Sequence, residues 1–566
     1  MSGDIAIVNL RWAMALVEGL VGSGVTRAVL SPGSRSTPLA LAFLHHPLVR
    51  TWVQVDERSA AFFALGLAKA DRQPVALVCT SGSAPANWFP AVIEAGYGKT
   101  PLILLTADRP PDLRDCGANQ TIDQVGLFGS HVRASHELPA ASATVPALAA
   151  VRRLAARVTD QSRWPLPGPV HINVPLHEPL VPAGDLPEWE SATAPVSVSY
   201  PAMLPPQSEI SVLVKELSGR PGLIVCGEDV YGEDFSGVLA RLAEALSCPV
   251  LADPLANLRF GSHDRSHVLG GYDAFLRRDG FTENHRPEWV LRYGAMPVSK
   301  QLQRYLADCT AATTILVEPY GRWPDPLHQT RRLLRADPTS VCSMLLAQPL
   351  RSAPSSWLAS FLEQERRAVA LLGDVERPLE AEIIESLLKR MDSGSCLFSS
   401  NSMAIRDLDS FATGGNTALR IVGNRGASGI DGNVSTALGL AAGLGKPVTA
   451  LFGDLAFYHD MNGLLAARGM NITLVVVNND GGGIFGYLPQ AGLADFERAW
   501  LTPTGLDFSL AARMYGLNYR RVENGADFDV AYAEALAHNG PDMIEVSVDR
   551  EGSAARHRAY WAVVND

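Results

Sequence analysis

Paired cysteines are missing from this sequence. Its seven cysteines, at positions 79, 116, 226, 248, 309, 342 and 396, are odd in number, and no two have the spacing of a metal or disulfide-exchange motif. Buried free thiols of a cytosolic protein are the expectation. Positive charge is also in deficit: 48 Lys and Arg against 59 Asp and Glu leave a formal charge of −11. Such a chain repels nucleic acid and anionic membrane, which excludes both as natural partners. The first residues, Met1-Ser2-Gly3-Asp4, have no basic region leading into an apolar stretch. No 18 consecutive residues are all apolar. Neither a signal peptide nor a spanning helix is therefore expected, and the cytoplasm is the expected location. Compositional bias is absent too: 47% hydrophobic and 19% charged residues lie near globular averages and exclude disorder.

What is there is length and rhythm. A chain of 566 residues exceeds one hydrophobic core and predicts three or four domains. Early on, the apolar runs 27–30, 51–55, 75–79 and 102–106 read as buried strands. Helix-period stretches at 37–45, 57–70 and 84–97 separate them. This alternation predicts a parallel sheet covered on both faces, with ligands beyond the carboxyl ends of its strands. Pro-, Ala- and Ser-rich sequence from 179 to 207 reads as a linker, as does 348–356. A smaller α/β unit lies between the linkers, and a third alternation follows them. The fold class expected is α/β, with three doubly wound parallel-sheet domains spanning 1–185, 205–350 and 372–566.

The strongest local pattern is Gly453-Asp454 followed by Asn478-Asn479-Asp480-Gly481. Gly453-Asp454 closes a strand, 457–468 fits a helix, and 474–477 forms the next strand. Asp454 and Asn479 should then sit side by side at one sheet edge. A carboxylate, an amide oxygen and the backbone carbonyl of Gly481 suit Mg²⁺ (or Mn²⁺), a hard cation held by few protein oxygens when a diphosphate supplies the rest. The plain alternative is that Asp454 caps a helix and 478–483 is a loop. A rival reading uses the same stretch, because Gly481, Gly483 and Gly486 satisfy the dinucleotide fingerprint. No strand ending in an acid follows at the required distance.

The spacing of Gly453-Asp454 and Asn478-Asn479 resembles the thiamine-diphosphate-binding motif, with Leu455 where Gly is usual. Further stretches narrow the resemblance: 31–38 (SPGSRSTP), 55–58 (VDER), 80–82 (TSG), 106–110 (TADRP), 116–120 (CGANQ) and 424–432 (NRGASGIDG). Together, over the whole chain, they resemble the 2-succinyl-5-enolpyruvyl-6-hydroxy-3-cyclohexene-1-carboxylate synthase family of menaquinone or phylloquinone synthesis. That family joins 2-oxoglutarate to isochorismate by decarboxylation and 1,4-addition. The alternatives are another thiamine-diphosphate enzyme, of acetolactate-synthase or 2-oxo-acid-decarboxylase type, and, in a different class, a dinucleotide-dependent oxidoreductase.

The resemblance implies that the first domain binds the aminopyrimidine ring and the third the diphosphate. It makes Glu57 the catalytic carboxylate, where sequence alone reads a helix-start acid. An apolar setting would raise its pKa. It places Ser428, Gly429, Ile430, Gly453, Asp454, Asn479, Ile484 and Phe485 around the cofactor, with Ile430 as the wedge that keeps it bent. Both substrates are dicarboxylates, and the matching anion contacts are Arg35, Arg109, Lys300, Arg406 and Arg425, with Ser34, Asn119, Gln120 and Ser402 as polar helpers. Gln301 departs from the Lys-Arg pair common at that point. The superfamily's pairing of domains across subunits implies a homodimer or homotetramer.

Overall fold

The computed structural model describes residues 5–184, 186–189, 194–374 and 376–565. Three six-stranded sheets are built entirely from parallel pairings. The first runs Arg50–Val53, Arg27–Leu30, Val75–Cys79, Leu102–Asp108, Pro169–Pro175, Ser135–Glu137. The third runs Arg420–Gly423, Cys396–Ser399, Val448–Gly453, Ile472–Asn478, Pro541–Ser547, Asn518–Val522. Numbered along each segment, both orders are 2-1-3-4-6-5, so one topology occurs twice. Central strands such as Val75–Cys79 and Leu102–Asp108 are buried at every position, as expected where helices cover both faces.

The middle sheet runs Val268–Leu269, Val250–Ala252, Gly222–Cys226, Trp289–Tyr293, Thr313–Val317, Thr330–Leu334. This is the 3-2-1-4-5-6 order of dinucleotide-binding sheets. Its switch point, however, is closed by the chain itself. The Tyr231 hydroxyl donates to the Gly227 carbonyl at 2.7 Å, and a Cβ on Gly294 would lie 2.6 Å from that hydroxyl. Helix Ser355–Asp374 follows the second linker and packs back on this unit. Its Trp357 indole donates to the Gly222 carbonyl at 2.9 Å, and its Glu365 carboxyl accepts the amides of Gly270 and Gly271.

First and third units share a core. Helices Glu57–Asp71 and Asn433–Leu444 cross in backbone contact: a Cβ on Gly66 would meet the Thr436 carbonyl oxygen at 2.0 Å, and one on Gly439 the Phe63 carbonyl oxygen at 2.0 Å. Phe62 and Phe63 then pack into one apolar cluster with Val434 and Leu438.

One helix bears on the expectation of no spanning segment, and one cysteine departs from that of buried thiols. Helix Ile5–Gly22 is long and apolar enough to cross a membrane by length and composition, although Asn9, Arg11 and Glu18 interrupt it. It packs against helices Thr37–His45 and Val145–Arg163, with Leu10, Leu16, Val17 and Leu20 buried. Among the cysteines, six are buried and free as expected, but Cys116 is exposed, because it lies in a surface loop outside the sheets.

Candidate active site

Parallel register brings the two halves of the Gly-Asp and Asn-Asn pattern together. Strand Val448–Gly453 pairs with Ile472–Asn478 so that Gly453 lies opposite Val477, and Asp454 and Asn479 leave the same sheet edge. Asp454 is 3% exposed. Its carboxyl accepts the Gly481 amide at 2.7 Å and the Leu455 amide at 2.8 Å. Burial pushes it up to about 6, against the pull of those amides. Beside it, Asn479 Oδ1 is buried with no hydrogen-bond partner. A desolvated carboxyl next to an orphaned amide oxygen favours a cation there. Gly481 adopts φ 134°, and a Cβ on it would meet the Leu501 carbonyl oxygen at 2.2 Å. Among the described residues no three His, Cys, Asp or Glu side chains converge as a metal cluster. The donors here are one carboxylate, one amide and one carbonyl, a set that suits a cation shared with a diphosphate.

The dinucleotide reading loses its structural context at the same loop. After the strand, Gly483–Tyr487 forms a 3₁₀ turn, not the helix whose N-terminus would receive a pyrophosphate. The helix expected at 457–468 is also broken, into Asp454–His459 and a 3₁₀ segment Met461–Ala467. The break is Asp460, whose φ is −130° and whose carboxyl turns away to accept the Ser435 amide at 2.7 Å.

A cavity of about 780 Å³ opens over this edge. Gly453, Asp454, Asn479, Gly481, Ile484, Phe485, Ile430 and Ser402 all line it, as does Leu455, the departure from the usual Gly. Ser428 and Gly429 do not; Gly429 lines a smaller neighbouring cavity with Phe62 and Glu94. Nothing in the sequence marked Glu380, Tyr487 and Arg550 as part of the larger wall. Arg550, at the start of the last helix, donates to the Asn479 and Asp480 carbonyls at 3.3 and 3.2 Å.

Arg406 and Arg425 stand beside this cavity. Arg406 donates to the Ser402 carbonyl at 2.6 Å, and Arg425 to Asn401 Oδ1 at 2.7 Å. Asn401 in turn donates to the carbonyls of Asn424 and Gly429, a role with no signal in the sequence. Burial, then the charge of Arg425, lowers the pKa of Arg406. Neither guanidinium has an ion-pair partner among the described residues.

The first domain gathers a second group of cations. Arg109 donates to Ser81 Oγ at 2.6 Å, and Gln120 Nε2 donates to the Ser81 carbonyl at 2.9 Å. Arg35 is buried, and burial followed by the charge of Arg109 lowers its pKa. Unlike the others it already has a carboxylate partner, donating to Glu178 at 2.6 Å as well as to the Leu176 carbonyl at 2.8 Å. Ser34 and Asn119 are exposed nearby in sequence. Lys300 is exposed at the start of helix Lys300–Asp308, and among the described residues its ammonium reaches Gln303 alone, at 3.3 Å. Its neighbour Ser299 bonds Asp273, which also accepts Ser410 from the helix that carries Arg406.

Glu57 opens helix Glu57–Asp71, but Asp56 does the capping, accepting the amides of Arg58 and Ser59. The Glu57 carboxyl is half-buried and has no hydrogen-bond or ion-pair partner among the described residues. It does not line the large cavity, nor does any described residue before Glu380.

Comparison with known proteins agrees with this geometry. Residues 10–127 match the model of the N-terminal TPP binding domain of thiamine pyrophosphate enzymes, 413–546 that of the C-terminal TPP binding domain, and 185–398 the middle domain. The chain is 45% identical over 550 residues to the 2-succinyl-5-enolpyruvyl-6-hydroxy-3-cyclohexene-1-carboxylate synthase of Dechloromonas aromatica, covering 96% of this chain and 99% of that one. It is 44% identical to the synthase of that name from Geobacillus kaustophilus, covering 97% of each. The Chloroflexus aurantiacus synthase is 42% identical, covering 98% of this chain and 96% of its own. With full-length identity at this level and thiamine pyrophosphate domain models matched along it, the chain belongs to the 2-succinyl-5-enolpyruvyl-6-hydroxy-3-cyclohexene-1-carboxylate synthase family of thiamine-diphosphate enzymes.

Proposed function

We propose that the chain is a thiamine-diphosphate- and Mg²⁺-dependent transferase that decarboxylates 2-oxoglutarate and adds the remaining four-carbon unit in 1,4 fashion to isochorismate. The products are 2-succinyl-5-enolpyruvyl-6-hydroxy-3-cyclohexene-1-carboxylate and CO₂, in the cytoplasmic synthesis of menaquinone or phylloquinone. The observation that carries this choice is the pair Arg406 and Arg425: burial and the charge of Arg425 act against Arg406, and neither guanidinium has an ion-pair partner within 4 Å among the described residues. A dicarboxylate substrate relieves that repulsion. A relative using small monocarboxylates would leave these cations without a use.

Thiamine diphosphate, when bound, supplies the electron sink that lets a 2-oxo acid lose CO₂ and leaves its former carbonyl carbon nucleophilic. Asp454, Asn479 and the Gly481 carbonyl would hold the metal that carries its diphosphate. Glu57 would hold a proton at the aminopyrimidine ring nitrogen, which suits a carboxyl with no hydrogen-bond partner among the described residues. Ile430, Ile484 and Phe485 supply apolar surface to the cavity wall, against which the cofactor's rings would pack. Arg406, Arg425 and Ser402 would orient carboxylates on the third-domain side. Arg35, Arg109, Ser34, Asn119 and Gln120 would do so from the first domain, and Lys300 from the middle one.

Two chains complete each site on this reading, because no described first-domain residue of the same chain lines the cavity at Asp454. A homodimer, or a tetramer of two such dimers, follows. The domains extend over 1–185, 205–350 and 372–566. The test is CO₂ release from 2-oxoglutarate, which should require both cofactor and metal. Preference for pyruvate would overturn the reading.

A further inference from the structure

The loop that carries Arg425 and Ile430 is held from outside its own domain. Glu94 lies on helix Phe89–Tyr97 of the first domain and is 3% exposed. Its carboxyl accepts the backbone amides of Gly426 at 2.8 Å, Ala427 at 2.6 Å and Ser428 at 3.3 Å. The approach is backbone-close: a Cβ on Gly426 would lie 2.4 Å from the Glu94 carbonyl oxygen and 2.5 Å from the Gly98 nitrogen. Further bonds tie the preceding strand to the same domain. Lys69 Nζ donates to the Gly423 carbonyl at 2.7 Å, and Arg420 donates to the carbonyls of Lys69 and Ala70. On its own helix Glu94 sits among buried Ala91, Val92 and Ala95, where a lone acid is costly unless its oxygens find donors. The three amides are those donors. One residue before them is Arg425, bonded to Asn401, and two residues after them is Ile430 in the cavity wall.

We infer that Glu94 is a positioning residue that fixes the Arg425–Ile430 loop of its own chain, so that a first-domain side chain sets the third-domain half of the site. This rests on the two-chain reading above and deepens it. Each chain's Glu57 then serves one site while its Glu94 shapes the other. Glu94 thus belongs functionally with Asp454 rather than with Glu57, although it is on the first domain and only 37 positions from Glu57.

That grouping is testable by complementation. Glu94→Gln replaces one acceptor oxygen with an NH₂ group that faces backbone donors, so the loop must move. Synthase kcat/KM should fall roughly 10- to 100-fold, the factor that loss of buried hydrogen bonds carries. The fall should appear chiefly as a higher KM for 2-oxoglutarate or isochorismate, with cofactor-free melting nearly unchanged. Heterodimers purified through two different tags then decide the grouping. Glu94→Gln paired with Glu57→Gln leaves one site with neither lesion and should recover activity. Glu94→Gln paired with Asp454→Ala damages both sites and should show no recovery above the residual activity of Glu94→Gln itself. Glu94→Asp, one methylene short, should group the same way and covers the case in which the Gln variant does not fold. Near-normal kinetics of both variants would overturn the inference, and so would the reverse grouping or failure of both mixtures while the control mixture recovers activity. The Glu57→Gln with Asp454→Ala mixture is the control. If it stays inactive despite demonstrated exchange, the two-chain site falls, and the KM of Glu94→Gln decides the positioning role alone.

Discussion

The amide of Gly481 donates to the carboxyl of Asp454 across 2.7 Å and so ties the end of one strand to the loop after the next. With Asn479 Oδ1 left without a partner beside them, this bond shapes a pocket whose charge balance is incomplete without a cation. Purified protein should therefore gain thermal stability from thiamine diphosphate only when Mg²⁺ or Mn²⁺ is present. A ligand at 100 times its Kd adds about 2.7 kcal/mol, enough for a clear melting shift. Asp454→Ala should abolish the shift. Equal stabilisation by the cofactor with the metal chelated would contradict the assignment.

Glu57→Gln should retain cofactor binding and lose turnover. An amide can still touch a ring nitrogen but cannot exchange a proton with it. Positioned acid–base groups contribute roughly 10²–10⁴-fold, and a loss in that range is expected in steady-state assays. A rate within a few-fold of the parent would return Glu57 to a structural place at the head of its helix.

How much of this was legible in the sequence differs from residue to residue. Asp454 and Asn479 were placed correctly because parallel pairing makes strand ends neighbours whatever the helix between them does. That helix was misread, since Asp460 breaks it for a bond to Ser435, a partner 25 positions away. Strand Ser135–Glu137 was missed because its residues are polar and its edge is largely exposed. Glu94 left one trace, a single acid in the apolar run FPAVIEAGY, but the amides that explain it are more than 330 positions on. Asn401 left none.

The crossing of the first and third units should be intolerant of side-chain volume. A Cβ on Gly439 meets backbone, not a flexible side chain, so Gly439→Ala must part the two helices. Overpacking of this kind costs about 1–3 kcal/mol. The urea midpoint should fall accordingly, and an unchanged midpoint would show that the helices separate freely.

Asp460 predicts a pH dependence of stability. Burial pushes its carboxyl up to about 6 from an ordinary value of 3.8, opposed by the Ser435 amide and by Arg58, and reinforced by Asp56. A carboxyl whose folded pKa is raised binds protons more readily when folded. The stability it contributes is present below about pH 4 and is lost as pH rises through about 6. Asp460→Asn should flatten the decline of melting temperature between pH 4.5 and 7. Identical slopes in parent and variant would contradict this.

Arg109, Arg406 and Arg425 should separate the two substrates. Losing one partner of a desolvated charge pair costs ~2–5 kcal/mol, so each Ala variant should lose roughly 30-fold or more in synthase activity. At least one should still release CO₂ from 2-oxoglutarate in a single turnover, because decarboxylation needs only the donor's contacts. Uniform loss of both reactions would mean that the three act as one unit.

The decisive measurement is mass spectrometry of the products formed from 2-oxoglutarate and isochorismate, with and without thiamine diphosphate and Mg²⁺. The expected result is a single adduct carrying both substrates less CO₂, formed only with cofactor and metal present. Cofactor-dependent CO₂ release with isochorismate left unchanged, or an adduct built from pyruvate in its place, would contradict the proposed function.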